Sequence, residues 1–230
     1  MTKQELIDYV KAFCITHDIE FRTFVGDTAF TIMNNSECSG FFEQNSKIKP
    51  TLGIAEGLPE TVFYEVLAHE FSHANQYLEN SPYWTNSRLN DEEVERFSNL
   101  TGIDLTGYET GDLFQQWLDY KVELSESVLE DLVDRTTGVE FDCERRTVEM
   151  AIKLGLNISP EEYAQKANAY LITYYYALKT RSWTTTGMSA YSKPEVYGVL
   201  PKVIDPVYCK NISPEIIELI KTHCVKKEVA

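Results

Sequence analysis

Two histidines and a glutamate in the segment 66–74 have the spacing of a metal site. His69 and His73 are four positions apart, so an α-helix would place both imidazoles on one face, one turn apart. Glu70 would point roughly 100° away from His69, where it can accept a proton rather than bind the ion. This His-Glu-x-x-His pattern predicts a Zn²⁺ site in which Glu70 is the general base for a water that the metal makes acidic.

A zinc hydrolase needs a third protein ligand while one coordination position stays open for water. The metzincin extension of the motif would require glycine and histidine where the chain has Gln76 and Glu79, which excludes that subclass. His17 and His223 are far from the motif in sequence and are weak candidates. An acidic residue on a later helix is therefore the expected third ligand, as in gluzincins.

The segment 138–154 is predicted to form that later helix. Its apolar stripe consists of Cys143, Thr147, Met150, Ala151 and Leu154. Glu140 and Glu144 fall on or beside this stripe, whereas Asp142 and Glu149 are predicted to face the opposite side. Cys143 is interpreted as a packing residue.

Glu144 is the predicted third ligand because it is an inward-facing carboxylate without another explanation. Glu140 already has one, since Thr137 and Glu140 match a capping box at the start of a helix. Glu140 is therefore the alternative ligand, or an acceptor for a histidine ring N–H. A buried salt bridge between Glu144 and an arginine is the competing explanation. On the motif helix, Glu65 and Gln76 share the histidine face, so either could orient a ligand or touch substrate. The favoured interpretation is that both are ordinary polar residues at the rim of a cleft.

The hydrophobic pattern predicts an α+β fold, with strands preceding most of the helices. The predicted strands are 19–25, 28–33, 38–43 and 51–55, which should pair antiparallel. The predicted helices are 3–17, 59–79, 91–99, 112–120, 124–135, 138–154, 160–180 and 214–223. We expect a single domain over 1–230 with a mostly helical C-terminal half, in which 80–137 is an insertion between the two metal-binding helices.

Charge and composition narrow the partners. A net charge of −15 disfavours nucleic acid, and no apolar run is long enough for a membrane span. The first residues lack the pattern of a secretory signal, and the five cysteines have no paired spacing, so a cytoplasmic location is expected, inside the host cell if the protein is viral. The sequence carries no signal for oligomeric state.

The motif His69-Glu70-x-x-His73 followed by Glu144-x-x-Thr147-x-x-Met150-Ala151 resembles the gluzincin-type arrangement of the ImmA/IrrE-like metallopeptidases. Their second motif has alanine and phenylalanine where this chain has Thr147 and Met150. The strings AHEFSHANQ, FDCERRTVEMA, KANAYL and KTRSW are also similar to uncharacterised metallopeptidases of phages and other large DNA viruses.

This resemblance implies a minimal zincin fold, in which a small antiparallel sheet packs on the motif helix. The same resemblance implies that His69, His73 and Glu144 bind zinc and that Glu70 is the general base. It also implies that strand 51–55 is the sheet edge that pairs with an extended substrate. The expected function is a zinc metallopeptidase acting on a peptide or protein. The alternatives are a non-catalytic, metal-stabilised protein-binding module and a zinc hydrolase of a non-peptide amide or ester.

Overall fold

The structure is a computed structural model with an α+β fold, which confirms the predicted class. It describes residues 1–33, 35–45, 48–185 and 187–226. The chain divides into two compact units. The first comprises Met1–Ser81 and Cys143–Pro160, and the second comprises Pro82–Asp142 and Glu161–Ala230. The expectation of a single domain concerns how these units behave together and stays a prediction.

The first unit contains the strands and the motif helix. Its elements are α1 (Lys3–Thr16), β1 (Glu20–Phe24), β2 (Ala29–Phe30), β3 (Glu37–Cys38), β4 (Gly40–Asn45), β5 (Ile48–Ala55), α2 (Glu60–Leu78) and the end of α6 (Glu126–Leu154). Strands β2 and β3 form a short antiparallel pair, and the other three form a sheet with the order β1-β5-β4. Predicted strands 19–25 and 51–55 recur as β1 and β5, whereas 28–33 shortens to the two residues of β2 and 38–43 is divided between β3 and β4.

Strand β5 is the centre of the three-stranded sheet, and this corrects two predictions. It pairs antiparallel with β4 but parallel with β1, so the sheet is mixed rather than antiparallel. It also has a neighbour on each side, so segment 51–55 is not an edge that a substrate can join. Consecutive burial of residues 51–55 explains the central position, because a strand covered on both faces reads as a continuous apolar run.

Helix α2 packs against β4, β5 and α1. It begins directly after Pro59, which cannot donate a backbone hydrogen bond, and Glu60 in the first turn interacts favourably with the helix dipole. It ends before Asn80, whose φ of 47° lies in the left-handed region. Its buried residues are Phe63, Tyr64, Leu67, Ala68, Phe71, Ser72, Ala74 and Gln76. This packing fixes the orientation of the histidine face.

The second unit is helical. Its elements are α3 (Pro82–Asn86), α4 (Asp91–Thr101), α5 (Thr110–Leu118), the start of α6, α7 (Pro160–Thr180), α8 (Pro194–Tyr197), α9 (Pro206–Lys210) and α10 (Pro214–Cys224), with a 3₁₀ turn at Ala190–Ser192. A cluster of buried apolar side chains that includes Phe114, Leu132 and Ile172 forms its core. Arg135 is held in this unit by Glu93, with 2.6 Å between Nη1 and Oε1.

Helix α6 runs without a break from Glu126 to Leu154, so the predicted boundary and capping box at Thr137 are wrong. The Thr137 hydroxyl donates to the carbonyl of Val133 one turn earlier, at 2.7 Å, instead of capping a new helix. It also lies 2.9 Å from the hydroxyl of Tyr175. Thr137 and Glu140 have the residue types of a capping box, but the threonine hydroxyl donates to a carbonyl one turn earlier in the same helix.

No helix in the described part of the chain combines the length and apolar character needed to cross a membrane.

Candidate metal centre

The two histidines of the motif face each other on α2. Their rings are 4.7 Å apart between centroids and nearly perpendicular, at 86°. The Nε2 atoms of His69 and His73 are 3.1 Å apart. The helix therefore brings the two nitrogens within reach of a single ion, as the spacing predicts.

Strand β4 passes close to the motif at Gly40. A Cβ atom at this position would lie 2.6 Å from Cγ1 of Val66 and 3.3 Å from Cγ of Glu70. Only glycine allows the strand to approach α2 so closely. The side chain of Glu70 thus lies beside the start of β4, which pairs with β5 in the sheet.

The outward nitrogen of His73 contacts Gln76. Nδ1 of His73 lies 2.9 Å from Oε1 of Gln76, which is fully buried. The sequence placed Gln76 on the histidine face as a residue that could orient a ligand, and the structure has it in contact with one.

The outward nitrogen of His69 contacts the end of α6 that belongs to the same unit. Nδ1 lies 3.4 Å from Oε1 of Glu144 and 3.5 Å from Sγ of Cys143. The Cys143 thiol also donates to the carbonyl of His69 at 3.2 Å. Both α6 side chains are buried, Glu144 with 5% of its surface exposed and Cys143 with none.

This environment favours a positive charge at His69. Burial lowers the pKa of the ring, but attraction to Cys143 and Glu144, together with hydrogen bonds to both, raises the pKa well above its usual range. The protonated form of this one ring is therefore favoured.

A pair of hydroxyl groups fixes the alignment of α2 and α6 beside the cluster. Ser72 and Thr147 are buried, and their hydroxyl oxygens are 3.1 Å apart. Each is also bonded within its own helix, Ser72 to the carbonyl of Ala68 at 2.8 Å and Thr147 to that of Cys143 at 2.9 Å.

His69, His73 and Cys143 form a group that can hold a metal ion. Each offers one donor atom, and these atoms lie within 4.8 Å of one another. Neighbouring nitrogen and sulfur ligands of a tetrahedral zinc ion are about 3.3–3.8 Å apart. The donor types and distances are compatible with such an ion, and the group contains a residue that the sequence led us to interpret as packing alone.

The remaining predicted residues have the following positions. Glu140 lies inside α6, half-buried and within the second unit, so its proposed contact with the histidines stays a prediction. Asp142 does not face solvent as predicted, because it is only 2% exposed. Glu149 is exposed and pairs with Arg145. The single-stripe description fails because α6 is buried on more than one side around residue 142.

A signal for Cys143 was present in the sequence. The residue precedes Glu144 on the inward stripe, and thiolate is a ligand that zinc binds readily. Cys143 was not predicted as a ligand because its place on the apolar stripe indicated packing and an acidic residue was the expected third ligand.

Comparison of the chain with protein-family models, with curated proteins and with solved structures finds no match.

Proposed function

We propose that this protein is a zinc-dependent hydrolase that cleaves peptide bonds. The observation that carries the proposal is the 3.1 Å separation of the Nε2 atoms of His69 and His73, with Glu70 between them in sequence on the same helix. Two imidazoles at this separation provide half of a tetrahedral coordination shell.

Glu144 is the proposed third ligand. Its carboxylate is buried in the same unit as the histidines and lies next to His69. A buried carboxylate requires a positive partner, which a metal ion supplies. Glu140 stays the alternative carboxylate, and Cys143 is a third possibility because its sulfur belongs to the donor group.

Glu70 is the proposed catalytic base. A bound zinc ion would supply a Lewis acid that polarises the substrate carbonyl and acidifies water. Glu70 takes the proton of the attacking water and delivers it to the leaving nitrogen, so that the C–N bond breaks and an acid and an amine form. Its position beside Gly40 supports a role at the edge of the sheet.

The sheet supports a peptide as substrate. Strand β4 is the last strand in the order β1-β5-β4, with β5 on one side. An extended peptide can add to such an edge through backbone hydrogen bonds. This edge replaces segment 51–55, which is central.

Metal analysis combined with activity measurements tests the proposal. We expect about one zinc ion per chain in the wild type, loss of zinc in His73→Ala, and retention in the control His17→Ala, which alters an exposed histidine outside the cluster. Glu70→Gln should keep zinc and slow peptide hydrolysis by about 10²–10⁴-fold. Full activity in Glu70→Gln would exclude Glu70 as base.

A peptide library and a panel of esters and non-peptide amides define the substrate. Cleavage of library peptides by the wild type but not by Glu70→Gln would support a peptidase. Turnover of only the ester or non-peptide panel would replace the peptide substrate with the other class.

A non-catalytic metal-stabilised binding module is the second candidate. Cys143 and Glu144 both lie beside His69, and four protein ligands would make a closed structural site. Bound zinc with no hydrolysis, together with loss of zinc in both Cys143→Ser and Glu144→Ala, would favour this function over the enzyme.

A further inference from the structure

We infer that Gln76 is a positioning residue that holds the proton of His73 on Nδ1 and so presents Nε2 to the metal. This inference rests on the proposed metal site. It assigns a role to a buried amide that is not itself a ligand.

The contact has the length of an ordinary N–H···O hydrogen bond. Oε1 of Gln76 lies 2.9 Å from Nδ1 of His73, and Gln76 follows His73 by three positions on α2, so both side chains are on one face. An amide oxygen accepts and cannot donate, so Nδ1 carries the hydrogen. In a neutral imidazole the other nitrogen then has a free lone pair.

That lone pair points at the second histidine. Nε2 of His73 is 3.1 Å from Nε2 of His69, whose own Nδ1 lies 3.4 Å from the Glu144 carboxylate. Each ring therefore directs its inner nitrogen, Nε2, towards the partner ring. Two inner lone pairs at this distance repel unless they share a cation.

Burial makes the role of Gln76 specific. The side chain is 0% exposed, and a buried amide is retained only where it is hydrogen-bonded. Acceptors behind metal-bound histidines fix the ring orientation and the tautomer, and their loss weakens metal affinity by about 10–100-fold. His73 thus has a neutral acceptor behind its metal-facing nitrogen.

Zinc affinity and the histidine tautomer together test the inference. Chelator competition should give weaker zinc binding, by about 10–100-fold, for Gln76→Met, which keeps the length of the side chain but removes the acceptor. Gln76→Glu restores an acceptor and should recover the affinity. Asn75→Leu is the matched control, because the Asn75 amide donates to the carbonyl of Phe71 instead of a histidine.

Long-range proton–nitrogen NMR of the metal-free chain supplies a readout without zinc. We expect His73 to be protonated on Nδ1 in the wild type and in Gln76→Glu, and to populate the other tautomer in Gln76→Met. Should Gln76→Met fail to fold, Gln76→Asn withdraws the oxygen by one methylene and replaces it in both measurements.

The outcomes separate the two proposals. A wild type that binds no zinc overturns the metal site and, with it, the role of Gln76 towards the metal. A wild type that binds zinc with an affinity and a His73 tautomer that Gln76→Met leaves unchanged overturns the inference alone.

Discussion

Nε2 of His69 and Nε2 of His73 lie 3.1 Å apart, a separation that calls for a proton or a metal ion between them. The raised pKa of His69 shows that the surroundings favour the positive charge. Substitutions of the residues around this pair should therefore change metal binding, hydrolysis or stability.

The third ligand can be identified by metal substitution. We expect Glu144→Ala to lose zinc during dialysis and Cys143→Ser to keep it. The cobalt-substituted wild type should then lack a sulfur-to-cobalt charge-transfer band in the near ultraviolet. Such a band, absent in Cys143→Ser and present in the buried-cysteine control Cys14→Ser, would instead make Cys143 the ligand.

Gly40→Ala should damage the site through sterics. The new Cβ meets Val66 and Glu70, so we expect a loss of about 1–3 kcal/mol in unfolding free energy and slower hydrolysis at unchanged zinc content. Gly111→Ala is the control, because its Cβ would make ordinary contact with Thr136 at 3.4 Å. Unchanged stability of Gly40→Ala in urea unfolding would contradict the close approach of β4 to α2.

The hydroxyl pair of Ser72 and Thr147 should behave as one coupled interaction. Thr147→Val leaves the buried Ser72 hydroxyl without its partner on the other helix and should cost about 1–2 kcal/mol. In a double-mutant cycle with Ser72→Ala, we expect a coupling energy of about 0.5–1.5 kcal/mol. Additive effects of the two single substitutions would show that the hydroxyls do not interact in solution.

Glu93 should make the stability of the second unit depend on pH. Burial raises the pKa of this carboxyl, but hydrogen bonds from Arg135 and from the backbone of Asn90 outweigh it, so the pKa is lowered from 4.5. The stabilisation is therefore present above the ordinary pKa and is lost as the pH falls through the lowered value.

Urea unfolding at neutral and acid pH measures this effect. Arg135→Met should lower the unfolding free energy at neutral pH by about 1–3 kcal/mol, because it removes the cationic partner of a half-buried Glu93 and leaves only the backbone N–H of Asn90 as a donor. The difference should shrink in acid. Glu92→Gln, an exposed neighbour, is the control, and a difference that grows in acid would contradict the assignment.

Elements whose type and bounds depend on residues within the same segment could be predicted from the sequence. The helix 59–79 was expected within one residue of its bounds at each end, and its histidine spacing gave the facing imidazoles. Apolar periodicity and a proline at the helix start determine such an element within the segment itself.

Features that depend on distant partners could not be predicted. Parallel pairing of β1 with β5 joins segments some thirty residues apart, as in the register of Glu20 with Thr51, and neither strand encodes the direction of the other. The capping signal at Thr137 failed because the hydroxyl found Val133 and Tyr175 instead. Cys143 could be recognised as a candidate ligand only from the contact between α6 and His69.

The hydroxyl contact between Ser72 and Thr147 makes the centre intolerant of changes in chain length. One residue inserted between Glu144 and Thr147 would rotate Cys143 and Glu144 by about 100° relative to that contact and carry them away from His69. Substitutions at the exposed positions of this segment leave the alignment intact. Natural variants should consequently differ in residue identity in this segment but keep the same number of residues.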